Sequence, residues 1–333
     1  MRRVEAEAIL ERFANKRVLV VGDLMADEFV RGHASRISPE APVLVLDAVE
    51  ESFVPGGAAN VAAQLLAFGA EVVVAGVVGD DATGNRLRES LTRMGADCSG
   101  IVSAYDRPTT QKTRIVAGTQ QLVRVDREKR HPLPEFTAQR LVATALQRLS
   151  SCDALLFSDY DKGVLTQTTI RQLVLAAEGR GTVITANPKP VSAGFYEGIL
   201  VAQLNRSEAD SAARLHAVPG DDPFESADMS AFHAAGVRLR AAISVRNLLV
   251  TRSSDGLTVF HQDGGYTDVP AHRVDVFDGT GAGDSTIAGL TLALASGASL
   301  LDAVAIGNAS GGAVVRKVGV ATATREEVAN LFA

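Results

Sequence analysis

The run Asp278-Gly279-Thr280-Gly281-Ala282-Gly283-Asp284 is followed by Ile287, Leu290 and Leu294 at helical spacing. Glycines let several backbone N–H groups converge without Cβ interference, and a helix N-terminus adds positive potential. Such a turn suits a transferring phosphoryl group. Asp284 would then stand beside the acceptor hydroxyl, orienting it and taking its proton as the new bond forms. An aspartate at the start of a helix is equally suited to capping it, and spacing alone leaves both roles open.

Two further clusters carry polar groups that fit a ligand. Pro55-Gly56-Gly57-Ala58-Ala59-Asn60 opens a helix bearing Val61, Leu65 and Phe68. Its small residues admit a ligand to the backbone, and Asn60 offers a donor and an acceptor to sugar hydroxyls. A tight turn with an N-cap reads the same way. Gly22-Asp23-Leu24-Met25-Ala26-Asp27 leaves the first apolar run, where open parallel sheets bind ligands, and the Asp23 and Asp27 carboxylates can accept paired hydroxyls. Rival glycine motifs fail. No GxGxxG follows a strand, and the P-loop spacing of Gly79 and Gly84 is followed by Asn85 and Arg86 where Lys and Ser/Thr are required.

The elements that hold these residues belong to a globular chain of 333 residues, 46% hydrophobic, 22% charged and 5% aromatic. That balance gives an aliphatic core with room for one large α/β domain or two ordinary ones. A net charge of -6 and the lack of a basic run argue against a nucleic-acid partner. Cys98 and Cys152 have neither metal-ligand nor disulfide-framework spacing. The charged N-terminus lacks the apolar segment of a signal peptide, and residues 289–307 are too interrupted by Gly, Ser and Asp302 to span a membrane. A cytoplasmic protein without a membrane partner is expected.

The first fifteen residues read as an amphipathic helix with Ile9, Leu10 and Phe13 on one side. Buried strands are expected at Val18–Val21, Val72–Val78, Ala154–Ser158, Val183–Ala186, Ile199–Ala202 and Leu248–Thr251. Helical stretches lie between them, such as Thr83–Met94 with Leu87, Leu91 and Met94 on one face. The alternation predicts a three-layer α/β/α domain around a mostly parallel sheet. Val43–Val49, Gln111–Val116 and Gln121–Arg127 alternate apolar with polar residues instead, like half-exposed antiparallel strands. They are read as a small β lid built from about residues 30–52 and 100–128, an excursion from one domain spanning 1–333.

Taken in order, six motifs resemble the ribokinase family, also called the phosphofructokinase-B family of carbohydrate kinases. They are Gly22-Asp23, Gly56 to Asn60, Gly79-Asp80-Asp81-Ala82-Thr83-Gly84, Asn205-Arg206-Ser207-Glu208, Val250-Thr251-Arg252 with Gly256, and Asp278 to Asp284. The resemblance implies a ribokinase-like fold and ATP as the phosphoryl donor. It makes Asp284 the catalytic base and Gly281, Ala282 and Gly283 the amides that steady the transferred group. Asn205 and Glu208 are implied to organise Mg²⁺, largely through water. Lys189, Thr251, Arg252, Gly256, Asp278, Thr280 and Asn308 form the implied nucleotide set. A monovalent cation such as K⁺ is a further candidate cofactor, and pairing through the lid into a homodimer is expected.

Three segments resemble more narrowly the D-glycero-β-D-manno-heptose 7-phosphate kinases of lipopolysaccharide heptose synthesis. These are Ser35 to Pro42, Thr119 to Asp126, and Ser158-Asp159-Tyr160-Asp161-Lys162-Gly163. Such enzymes phosphorylate the anomeric hydroxyl to give a 1,7-bisphosphate. A sugar phosphate needs cations, and Arg36, Lys112, Arg114 and Arg124 lie in or beside the lid segments, although exposed strands also carry such residues for solubility. Asp159 joins the sugar-binding set from the third segment. Two departures stand out: Asn187 where these kinases usually have Asp, and Gln203-Leu204 in place of Thr-Pro. None of the six histidines lies in the HxGH motif of a fused adenylyltransferase, so a stand-alone kinase is expected. The alternatives are a kinase for another sugar and a non-catalytic sugar-binding regulator.

Overall fold

The first strand shows why the sheet is buried on both faces. In the computed structural model, which describes residues 1–219, 223–225 and 228–333, β1 (Arg17–Gly22) sends Val18 and Val20 into one apolar cluster. Leu19 and Val21 enter a second cluster on the opposite face. The next strands are β2 (Leu24–Ile37), β3 (Leu44–Gly57), β4 (Glu71–Gly79), β5 (Asp97–Ala104), β6 (Thr110–Ala117) and β7 (Gln120–Arg127). There follow β8 (Ala154–Ser158), β9 (Val183–Asn187), β10 (Val201–Asn205), β11 (Asn247–Thr251), β12 (Leu257–Phe260) and β13 (Tyr266–Val269). A nine-stranded sheet runs β13-β12-β11-β10-β9-β8-β1-β4-β5, and only β12 and β13 at one edge pair antiparallel.

Helices cover both faces, as parallel strands require. On one side lie α1 (Arg3–Glu11), α2 (Ala58–Ala67), α3 (Ala82–Arg93), α8 (Ala282–Ala295), α9 (Leu300–Val314) and α10 (Arg325–Ala329). On the other lie α4 (Glu135–Leu149), α5 (Gln167–Glu178), α6 (Arg206–Leu215) and α7 (Met229–Ala242). No described helix is long and apolar enough to cross a membrane.

The second sheet runs β3-β2-β6-β7, with β2 and β6 parallel and the other pairs antiparallel. One residue, Asp23, separates β1 from β2, and β3 ends where α2 begins, so both 14-residue strands are rooted in the main body. Their roots are buried and their outer ends exposed.

Two expectations need correction. Residues 100–104 were assigned to the lid, yet they belong to β5, which pairs parallel with β4 in the main sheet. The strand expected at Ile199–Ala202 is instead Val201–Asn205, because Ile199 is still in the turn whose N–H meets the Tyr196 carbonyl. The later start carries the strand through Gln203 and Leu204 to Asn205.

Candidate active site

Next to β1, the chain goes to β4 on one side and to β8 on the other. At such a switch point, connections leave in opposite directions and open a crevice at the carboxyl ends of the strands. A cavity of about 170 Å³ occupies this edge. Tyr160, Asn187 and Lys189 reach it from the ends of β8 and β9, and Gln203, Asn205 and Thr251 from β10 and β11. Glu208 enters from α6, and Gly281, Gly283 and Asp284 from the start of α8.

Gly281 precedes α8 with φ 80°, a left-handed conformation that favours glycine, and no side chain caps the helix. Its first-turn amides therefore lack a side-chain acceptor, which suits an incoming oxyanion. Asp284 does not cap them. Its Oδ2 accepts a 2.6 Å hydrogen bond from Asn60 Nδ2, and its Oδ1 accepts one of 2.6 Å from the Tyr160 hydroxyl. Burial pushes the Asp284 carboxyl above its ordinary pKa, while Tyr160, Asn60 and Lys189 pull it back towards ionisation. The Tyr160 hydroxyl is driven well above its own ordinary value by burial and by Asp284, so it remains a donor. A buried carboxylate held in this way can accept a proton from a hydroxyl placed against it.

Across the cavity, Asn205 and Glu208 form a reciprocal cap on α6. The Asn205 Oδ1 accepts from the Glu208 N–H at 2.8 Å, and Glu208 Oε2 from the Asn205 N–H at 3.0 Å. Glu208 Oε1 pairs with Lys189 Nζ at 2.5 Å. Gln203 donates from Nε2 to the Gly283 carbonyl at 2.9 Å, and its buried Oε1 has no partner among the described residues. No described group of three or more His, Cys, Asp or Glu is arranged to hold a metal directly. Capped acceptors beside one orphaned amide oxygen fit a hydrated Mg²⁺ better than a dehydrated one.

The rest of the nucleotide set is dispersed around this wall. Thr251 lines the cavity, but Arg252 turns to Asp268 at 3.3 Å and packs on Phe232. Gly256 closes the turn after Arg252 with φ 91°. Asn308 donates to the Pro270 carbonyl at 2.7 Å. Asp278 accepts from the Thr280 N–H and hydroxyl and from the Gly319 N–H. These bonds outweigh burial and lower its pKa, shaping the turn before Gly281.

Among the expected sugar ligands, Asp27 Oδ1 meets Arg114 Nη1 at 2.5 Å. A Cβ on Gly56 would stand 2.1 Å from Asp27 Oδ2, so the carboxylate lies against bare backbone. Gly56→Ala is expected to displace Asp27 and raise the sugar KM about tenfold, with little change in the ATP KM. Steady-state kinetics in both substrates check this; an unchanged sugar KM contradicts it.

The other expected sugar ligands have different surroundings. Lys112 pairs with Asp126 at 3.3 Å and Glu128 at 3.6 Å, and Arg124 pairs with Asp126 at 2.8 Å. Lys112, Arg124 and Arg114 thus already face carboxylates. Arg36 is exposed near the outer end of β2, roughly 30 Å along the strand from Asp27 at ~3.3 Å per residue, and is not brought to the cavity. Asp159 turns inward, accepting from Ser192 Oγ at 2.6 Å and the Tyr196 hydroxyl at 2.9 Å.

Asp23 is also committed to the fold, accepting from the N–H groups of Tyr160, Lys162 and Val164 at 2.8, 3.2 and 3.4 Å. Burial, then the charge of Asp159, pushes its pKa up to about 7, against the pull of those amides. An acid whose folded-state pKa is raised keeps its proton longer when folded, so its contribution to stability falls as pH rises from about 4 to about 7. Asp23→Asn is expected to remove that slope. Its stability relative to the parent then rises with pH by as much as about 1.4 kcal/mol per unit. Denaturant unfolding at several pH values reads this, and a difference independent of pH refutes it.

A second, more open cavity of about 330 Å³ lies beside Asp80, Asp81 and Arg107 and shares no lining residue with the first. Arg107 there donates to the Lys162 carbonyl at 2.9 Å and the His131 carbonyl at 2.6 Å, bracing the loop after β8.

Tyr160, Asn187 and Gln203 line the site, yet nothing in their sequence context assigns them to it. Asn187 and Gln203 drew attention only as departures from a pattern. In Ser158 to Gly163 it is the Tyr160 phenol and not the Asp159 carboxylate that faces the cavity; side-chain alternation, the signal that separates facing residues, stops at Ser158 where β8 ends.

The pattern of the pfkB family carbohydrate kinases matches residues 15–327. Bifunctional protein HldE of Geobacter metallireducens is 39% identical over 98% of this chain, and that of Gluconobacter oxydans is 39% identical over 96%. The chain spans 65% of the length of each of these relatives. Among solved structures, Arabidopsis thaliana ribokinase complexed with ribose and ATP matches with a TM-score of 0.72 and 18% identity, covering 95% of this chain and 98% of that one. Phosphofructokinase-2 from Escherichia coli in complex with potassium gives 0.73 and 18%, with the same coverage of each chain. These two likenesses bear on the fold, which is ribokinase-like. By the family match and the HldE identity, the chain belongs to the pfkB family of carbohydrate kinases, phosphotransferases whose acceptor is an alcohol group.

Proposed function

We propose that the chain transfers the terminal phosphoryl group of MgATP to the anomeric C1 hydroxyl of D-glycero-β-D-manno-heptose 7-phosphate, giving the 1,7-bisphosphate. The observation that carries the reading is the Asp284 carboxylate, buried and hydrogen-bonded at the uncapped start of α8, sharing one cavity with Lys189, Asn205 and Glu208. The heptose assignment rests on the three lid and loop segments, and the HldE identity along nearly the whole chain supports it.

In this mechanism Asp284 accepts the acceptor hydroxyl's proton as that oxygen bonds to the terminal phosphorus, and the bond to the departing diphosphate breaks with its electron pair going to ADP. The first-turn amides at Gly281, Ala282 and Gly283 steady the phosphoryl oxygens. Lys189 adds a point charge on the nucleotide side, and Asn205, Glu208 and Gln203 would orient the water around Mg²⁺, whose role is to offset phosphate charge. Asp27, Gly57 and Asn60 would meet sugar hydroxyls, while Lys112, Arg114 and Arg124 would exchange their carboxylate partners for the 7-phosphate. K⁺ is a candidate activator.

We further propose a cytoplasmic homodimer joined through the lid, whose Ile37, Leu44, Val49, Val123 and Val125 are exposed apolar side chains. A substrate panel with ³¹P NMR of the product tests the function. Preferred turnover of heptose 7-phosphate with a new anomeric phosphate signal is expected. Equal or better turnover of fructose phosphates, ribose or nucleosides overturns the heptose assignment. Binding of sugar and nucleotide without turnover of any candidate favours the regulator.

A further inference from the structure

Three contacts converge on Tyr160. Its hydroxyl donates to Asp284 Oδ1 at 2.6 Å, its backbone N–H donates to Asp23 Oδ2 at 2.8 Å, and the Lys189 ammonium lies 5.0 Å from its ring centroid. Lys189 in turn pairs with Glu208, and Asp284 is held on its other oxygen by Asn60. One connected chain of side chains therefore runs from Asn60 in α2 through Asp284, Tyr160 and Lys189 to Glu208 in α6, and Tyr160 is its middle member.

We infer that Tyr160 is a positioning residue that fixes the Asp284 carboxylate and ties it to Lys189. This rests on the proposed role of Asp284 in phosphoryl transfer. A carboxylate has rotational freedom about its last torsion, and one donor leaves it able to swing. With Asn60 on Oδ2 and Tyr160 on Oδ1, both oxygens are pinned from separate elements. The second lone pair of either oxygen stays available for the acceptor's proton. The phenol itself is anchored at its backbone by Asp23, and Asp159 holds the next turn by accepting from the Asp161 N–H at 2.9 Å. The ring also gives Lys189 an electron-rich face, so the ammonium has two holds, the ring and Glu208.

The charged groups facing Asp284 are Lys189, which favours its ionised form, and Asp27, which opposes it; Tyr160 additionally feels Glu208. Removing only the phenolic oxygen takes away a donor to the ionised form and leaves the ring beneath Lys189. Tyr160→Phe should therefore lower kcat about tenfold to a hundredfold, by misplacing the base. The acid limb of kcat/KM should move to higher pH, and the affinity for nucleotide should hold within about threefold.

The closing experiment reads Asp284 directly. The ¹³C-carboxyl resonance of Asp284, assigned by its loss in Asp284→Asn, is titrated in the parent and in Tyr160→Phe. In parallel, all four tyrosines are replaced by 3-fluorotyrosine, a stronger donor that preserves the side chain's shape. An upward move of the titration in Tyr160→Phe, a downward move with fluorotyrosine, and matching moves of the acid limb are the expected result. An unmoved resonance and acid limb in both proteins, with kcat within twofold, would overturn the inference and leave Tyr160 as packing. The resonance needs no turnover. If it moves while no sugar phosphate is a substrate, the positioning role stands and the functional reading fails.

Discussion

Asp284→Asn is expected to lower kcat about 10³-fold while nucleotide affinity stays within about threefold. The substitution keeps size and shape, so the uncapped amides at the start of α8 remain open to phosphate. It removes the proton acceptor. It also places an NH₂ group against either Asn60 Nδ2 or the Tyr160 hydroxyl, both of which donate to the present carboxylate. One donor must then turn away, adding misplacement to the lost basicity. Single-turnover kinetics read the loss in the chemical step, and calorimetric nucleotide binding reads the retained affinity. Turnover within tenfold of the parent would mean that another group takes the proton.

Lys189→Met is the second large effect, with kcat/KM for MgATP expected to fall about 10²-fold or more. Lys189 is the cation of a cavity wall that otherwise presents Asp284 and Glu208. Its loss leaves Glu208 without its cation on the wall proposed to meet the nucleotide, so attraction there would become repulsion. Lys189→Arg should recover part of the loss by restoring charge with a bulkier head. Initial rates over a range of MgATP concentrations check both variants. A fall of less than threefold in Lys189→Met would remove Lys189 from the nucleotide side.

The parts of this molecule legible in its sequence are those written locally. Continuous apolar runs such as Val18–Val21 and Ala154–Ser158 announce strands buried on both faces, and the glycine spacing of Asp278 to Asp284 announces the turn that opens α8. The full length of β2 was not legible. Its Leu24-Met25-Ala26-Asp27-Glu28-Phe29 does not alternate, because its root lies in the body and its far end in solvent, and its regularity comes from pairing with both β3 and β6. Tyr160 was hidden for a similar reason, as its bond to Asp284 joins residues 124 apart. The neutralised lid cations were partly within reach. Lys112 stands directly across from Asp126 once the hairpin turn around Gly118 sets the register, but the Arg114 to Asp27 pair depends on the parallel contact of β6 with β2.

The two long strands are also a lever. β2 departs immediately after Asp23 and β3 returns immediately into the helix that carries Asn60, so there is no slack at either root. A displacement at the far end, around Ser38 to Val43, has two covalent routes back to the body, one arm ending beside Asp27 and the other at the helix that carries Asn60. A single residue inserted near the root of β2 is expected to turn Asp27 to the other face of the sheet and break its pair with Arg114.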